Sequence, residues 1–195
     1  ESQYPGQPLA LMEEIKILLD AAPECFDNIS EKNKLLAEYT NRCRHHISGK
    51  HITVTPASLA ANLTQKAVWL TNFIQNQEWI EGTHGEGWFN SYYDNHGQAV
   101  EGFYPDHVRM MITGQVFSIM GRVATEEQIR KITKSADHYL YAPKIGGYRL
   151  NTDFHERKFD MGRMFGFAYG EKENGAVFSH MAVMYANALY QRGFA

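Results

Sequence analysis

One stretch of this 195-residue chain gathers unusual chemical variety: Lys172-Glu173-Asn174-Gly175-Ala176-Val177-Phe178-Ser179-His180. It places a cation, a carboxylate, an amide and an imidazole around a glycine, just before an apolar pattern of helical period. A helix entrance offers unpaired backbone N–H groups and the positive end of the helix dipole, so a phosphate or a developing anion is a natural guest. The expected helix covers residues 176–191, which puts His180 about one turn inside it. There His180 can donate to a phosphate oxygen, and Glu173 can accept from sugar hydroxyls. The same residues also fit a plain capped helix with solvated charges and a hydrogen-bonded core histidine. Residue types alone leave both readings open.

A second constellation is Trp88-Phe89-Asn90-Ser91-Tyr92-Tyr93-Asp94-Asn95-His96-Gly97. Its rings could form a wall for the C–H faces of a sugar, with Asp94, Asn95 and His96 as polar partners. Asp94 to Gly97 equally reads as a turn, because Asp and Asn bond their own backbone and glycine follows. His45, His46 and His51 suggest a metal, but the adjacent pair points to different helix faces and no further ligands are placed, so no metal is expected. Asp153, Glu156, Arg157, Asp160 and Arg163 read as a solvated mixed-charge loop. No Walker, dinucleotide or nucleophile-elbow motif is present in the sequence.

The elements that must position these residues are predominantly helical. Helices are predicted over residues 8–21, from a Ser30 cap to 48, over 55–77 behind Thr55-Pro56, over 106–123, and over 125–141 behind the capping box Thr125-Glu126-Glu127-Gln128. Inward stripes are Leu35, Leu36, Tyr39 and Cys43 in the second helix, and Leu59, Leu63, Ala67, Leu70 and Ile74 in the third. Residues 81–106 and 142–174 lose the helical period and read as long irregular loops, the kind that carry function. No run shows the alternation of strands. The fold class expected is all-α, with residues 1–195 as one domain.

Composition excludes several functions. A net charge of −3 disfavours a nucleic-acid or anionic-membrane surface, and apolar runs broken by Glu, Lys, Asn or Gln exclude a spanning segment. Cys25 and Cys43 read as free thiols of a cytoplasmic protein. The 13% aromatic content, often beside hydrogen-bonding side chains, suits carbohydrate. The first and last residues break off abruptly, so the chain reads as a piece of a longer polypeptide.

Taken in order, three segments resemble the C-terminal part of the catalytic barrel of the cellobiose and chitobiose phosphorylase family, which are inverting glycoside phosphorylases. They are Gly87-Trp88-Phe89 through Tyr93-Asp94-Asn95-His96-Gly97, then residues 110–120 with Gln115 at the family's glutamine, then Lys172 through His180. Ser91, Phe117 and Ala176 depart from the family's usual arginine, tryptophan and second glycine.

The resemblance implies an (α/α)6 barrel of which this chain is part. It implies that His180 binds the attacking phosphate, and that Glu173, with Lys172 and Gln115, contacts sugar. The family's general acid is an aspartate in an Asp-Trp-Asn-Asp motif that this sequence lacks, so it is expected upstream; Asp27-Asn28 does not qualify. The implied reaction is phosphorolysis of a β-linked disaccharide or oligosaccharide, with inorganic phosphate as co-substrate and no cofactor. Its product is a sugar 1-phosphate, and the implied enzyme is a homodimer completed by the rest of its polypeptide. A phosphorylase needs no carboxylate base, because its nucleophile is already an anion; an inverting hydrolase needs one to activate water. An (α/α)6 hydrolase and a non-catalytic carbohydrate-binding module are the alternatives.

Overall fold

The computed structural model describes residues 6–156 and 161–194, and the chain divides into two compact units, Glu1–Phe73 and Ile74–Ala195. Arg157 and Asp160 of the mixed-charge loop lie outside the described residues.

In the first unit, strand β1 (Leu9–Met12) is followed by a 3-10 turn and helix α1 (Lys16–Asp20). Helix α2 (Ile29–Cys43) and strand β2 (His51–Val54) lead to α3 (Pro56–Gln77), most of which lies in this unit. The helix expected over residues 8–21 therefore opens as a strand: Leu9 to Met12 pair antiparallel with Val54 to His51. Its dense apolar run fits either period, and pairing with the β-branched Ile-Thr-Val of β2 decides it. Helix α2 begins one residue before the expected cap, with Asn28 Oδ1 accepting from Ser30 N and Glu31 N at 3.0 and 3.2 Å. It ends at Cys43, short of the expected Ser48. Helix α3 starts as expected, with Thr55 Oγ1 accepting from Ser58 N at 3.1 Å. Its half-covered stripe, however, is Leu59, Asn62, Lys66, Trp69 and Phe73, while Leu63 and Leu70 are exposed. Asn62 and Lys66 both donate to the Leu19 carbonyl, which pulls that polar stripe inward. Trp69 stacks on Phe73 at 5.3 Å between ring centroids. Cys25 and Cys43 are free thiols.

The second unit holds the apolar core. Strand β3 (Trp79–Glu81) pairs with β4 (Gly87–Phe89), and β5 (Gly102–Phe103) with β6 (Val108–Arg109). Helices α4 (Ile112–Met120) and α5 (Glu126–Tyr139) follow, then the hairpin of β7 (Tyr141–Ala142) and β8 (Gly147–Tyr148). A 3-10 turn over Arg163–Gly166 precedes the last helix, α6 (Ser179–Gln191). Trp88, Met110, Ile112, Val116, Ile119, Ile129, Ile132, Leu140 and Tyr185 form one buried cluster. Each such side chain removed from water contributes roughly 1.5–3 kcal/mol, so this cluster dominates the unit's stability.

Helix α5 carries the full capping box, with Thr125 and Gln128 bonded reciprocally. It is tied to β4 by the buried Ser135 hydroxyl, which accepts from Gly87 N at 2.9 Å. Arg192 closes the far end by donating to the Ile119 and Ala124 carbonyls.

The all-α expectation holds only in part. Six α-helices dominate, but the described residues also include eight short strands in four antiparallel pairs. Strands of two to four residues are too short to display a period of two. The helix expected from Asp106 begins instead at Ile112, because Val108 and Arg109 pair with Gly102 and Phe103. The described residues include no helix long and apolar enough to cross a membrane.

Candidate active site

The 172–180 segment consists of a tight hairpin followed by a helix start. Asn174 N donates to Glu171 O at 3.0 Å and Gly170 N donates to Asn174 O at 2.7 Å, leaving Lys172 and Glu173 at the tip. Lys172 adopts a left-handed backbone with φ +46°. Its Nζ lies 4.8 Å from the Phe167 ring centroid, and the Arg163 guanidinium lies over the same ring at 5.4 Å. Both cations thus pack against the same ring. Glu173 Oε1 sits 3.6 Å from Arg163 Nε. Its Oε2 is shielded from solvent and accepts no hydrogen bond among the described residues, which leaves its acceptor capacity unmet.

Gly175 follows with φ +75°, and a Cβ there would stand 2.2 Å from the Tyr169 ring. Helix α6 begins at Ser179, later than the expected Ala176, because Val177 is still bridged to Arg149 in extended pairing. His180 is consequently exposed in the first turn rather than a turn inside. The N-cap, Phe178, supplies no side-chain bond, so the first N–H groups of α6, in the same turn as His180, have no side-chain cap from it.

Lys172 and Glu173 share the hairpin tip, and the chain leads from there directly to His180. Gln115 is elsewhere. It is fully buried, accepts from Phe89 N at 2.9 Å, and donates to the carbonyls of Phe89 and Met111 at 2.9 and 3.0 Å. With both amide donors occupied in the core, its geometry is that of a brace between β4 and α4 rather than a group facing a ligand.

The aromatic wall also divides. Trp88, Phe89 and Asn90 are buried, whereas Tyr92 and Tyr93 are exposed beside Asn95 in a cleft of about 550 Å³. Asp94 to Gly97 is the turn: Asp94 Oδ1 accepts from His96 N and Gln98 N, each at 2.9 Å. A second cleft of about 630 Å³ runs past Asp153, His155, Phe167, Tyr169 and Asn174. Rings and hydrogen-bonding groups thus meet on open surface in both places.

The mixed-charge loop is more ordered than expected. Arg109 is buried between the Tyr104 and Phe154 rings and pairs with Glu156 at 2.5 Å. Its Nε donates to His107 Nε2 at 3.0 Å, which places the His107 proton on Nδ1, 2.6 Å from Asp106 Oδ1. Asp106, His107 and His155 do cluster, with ligand-type atoms within 4.8 Å of one another. Both His107 nitrogens are already engaged, however, so a metal would have to displace Arg109.

One acidic residue escaped sequence reasoning entirely. Glu101 is buried; its Oε1 accepts from Ser91 N at 2.8 Å and from the Ser91 hydroxyl, and its Oε2 accepts from Met111 N at 2.7 Å. Burial raises its carboxyl to about 7, and these bonds only partly oppose the shift. Between about pH 4.5 and 7 the unfolded chain releases this proton while the folded chain keeps it. Stability from this group is therefore complete below about pH 4.5 and declines to a plateau above about 7. Glu81, Glu86 and Asp106 are lowered and act in the opposite sense, below the ordinary carboxylate range. Chemical denaturation from pH 5 to 8 should show stability falling in the parent, with a shallower slope in Glu101→Gln. Equal slopes would refute the assignment.

Residues 56–193 match the Glycosyl hydrolase 94 superfamily, catalytic domain. The chain belongs to this family. Within the Glycosyl hydrolase 94 superfamily it is similar to cellobionic acid phosphorylase of Neurospora crassa, 31% identical over 85 residues, which are 44% of this chain and 11% of that protein. It is also similar to solabiose phosphorylase of Paenibacillus borealis, 25% identical over 122 residues, or 63% of this chain and 15% of that protein. The aligned part is thus a small fraction of either relative's length. The match agrees with the expected cellobiose-phosphorylase-like family and includes all three segments on which the resemblance rests.

Proposed function

We propose that this chain forms the phosphate- and sugar-binding part of an inverting glycoside phosphorylase. The enzyme cleaves a β-linked glucoside with inorganic phosphate and releases a sugar 1-phosphate. The observation that carries this reading is the pairing of an unsatisfied carboxylate oxygen at the hairpin tip with a helix start that has no side-chain N-cap. Glu173 Oε2 stands without a hydrogen-bond partner among the described residues, and His180 lies in the first turn of α6, whose N–H groups the N-cap side chain leaves unbonded. The first suits a sugar hydroxyl and the second suits a dianion.

Lys172 adds positive charge at the tip. Gln115 contributes by bracing the Trp88-Phe89 strand instead of touching sugar. The general acid comes from elsewhere in the polypeptide, and the helices belong to an (α/α)6 barrel. The two named phosphorylase relatives support a phosphate-dependent reaction over simple hydrolysis.

The test uses the enzyme carrying its complete catalytic domain against a panel of β-linked disaccharides. Cleavage should require phosphate; undiminished cleavage in phosphate-free buffer would overturn the reading. His180→Ala removes about one charge-assisted hydrogen bond. The expected result is a rise of about 10- to 100-fold in the phosphate KM with a smaller change in the sugar KM. Equal changes in both would refute the role given to His180.

A further inference from the structure

The three family segments lie far apart in sequence, yet one continuous line of buried polar contacts joins them, and its key members belong to none of the three. Ser91 of the first segment bonds Glu101, and Glu101 accepts from Met111 N in the second. Met111 bridges to Asn151, and Asn151 Oδ1 accepts from Gly175 N at 2.8 Å in the third. Residues 149–152 act as the middle strut. On one side Ile112 N donates to Leu150 O and Thr152 N to Met110 O, at 2.9 and 3.0 Å. On the other, Leu150 N donates to Ala176 O at 3.0 Å and Arg149 bridges to Val177.

We propose that Asn151 is the positioning residue of the 172–180 segment, setting the placement of Glu173 and of the α6 entrance for the phosphorylase reaction; the functional part of this inference rests on the reading above. Asn151 is fully buried and every polar atom of its side chain is engaged. Oδ1 holds the Gly175 N–H, while Nδ2 donates to Asn174 Oδ1 at 3.0 Å and to its neighbour's carbonyl at 2.9 Å. Asn174 is thereby oriented so that its own Nδ2 reaches Phe167 O at 2.8 Å. The Gly175 carbonyl is gripped by Arg149 Nη1 at 2.7 Å. Both polar groups of Gly175 are thus clamped from the 149–151 strut, on the residue that links hairpin tip to helix.

No other side-chain type reproduces this set. An acceptor must face Gly175 while a donor faces Asn174, and only the asparagine amide offers both at this reach. A displacement of the clamped residues by about 1 Å is enough to cost on the order of 100-fold in a positioned reaction.

The experiment compares Asn151→Ala and Asn151→Asp in the enzyme carrying its complete catalytic domain. Aspartate keeps the acceptor for Gly175 and loses the donor to Asn174. Native-state hydrogen exchange at the Gly175 amide should accelerate at least about tenfold in Asn151→Ala and less in Asn151→Asp, with α5 amides unchanged. Turnover should fall about 100-fold in Asn151→Ala and less in Asn151→Asp. Unchanged exchange at Gly175, or uniform acceleration across the unit, would overturn the clamp. A released Gly175 with parental kinetics would overturn the positioning role. Absence of phosphate-dependent cleavage in the parent enzyme would instead remove the functional reading and the catalytic role of Asn151 with it, leaving the exchange result to decide the clamp alone.

Discussion

Gly175→Ala should destabilise the second unit by about 2–5 kcal/mol. Two costs combine. The backbone sits at φ +75°, where a Cβ costs about 1–2 kcal/mol. The new methyl group would also stand 2.2 and 2.5 Å from two carbons of the Tyr169 ring, so the ring must move. Overpacking of this kind typically adds about 1–3 kcal/mol. Gly146 supplies the control: its φ is +73°, but no atom lies within 4 Å of the Cβ position. Gly146→Ala should therefore carry the backbone cost alone, about 1–2 kcal/mol. Denaturant melts of both variants measure the difference. If the two lose stability equally, the Tyr169 contact is not a constraint.

Gln115→Leu should cost about 3 kcal/mol, more than a surface sugar contact could explain. Leucine nearly matches the volume but removes the partner of the Phe89 N–H and of the Phe89 carbonyl, both buried. Each orphaned group costs about 1–3 kcal/mol, partly offset by the added apolar burial. A melt combined with kinetics separates the two roles. A brace gives a lower midpoint with modest change in the sugar KM, whereas a direct sugar contact gives an unchanged midpoint and a raised KM.

How legible these features were depended on the range of the forces involved. Helix α5 and the start of α3 were readable because caps are local: Thr125, Gln128 and Thr55 bond within three residues of themselves. The Asp94–Gly97 turn was readable for the same reason. The 172–180 segment stood out by its residue variety, and the order of its neighbours made it interpretable. The burial of Gln115 was not readable, since a glutamine gives no sign that its partners sit 26 residues away. Glu101 and Asn151 were missed because isolated polar residues in loop-like stretches are ordinarily solvated. Their roles arise only when strands too short to have a visible period bring distant backbone together. Leu9 to Met12 misled for the converse reason: a dense apolar run carries no period, and its partner is more than 35 residues further on.

The left-handed backbone at Lys172 has a consequence for how the hairpin ages and breathes. A lysine at φ +46° is held against its own conformational preference by about 1–2 kcal/mol. The fastening of Asn174 and Gly175 below it helps hold the tip in place. Any loosening of those fastenings releases the tip first, while the helices beneath remain intact. The cation that marks this surface is therefore also its most fragile ornament: charge on a cocked spring, with the latch one residue beyond its neighbour.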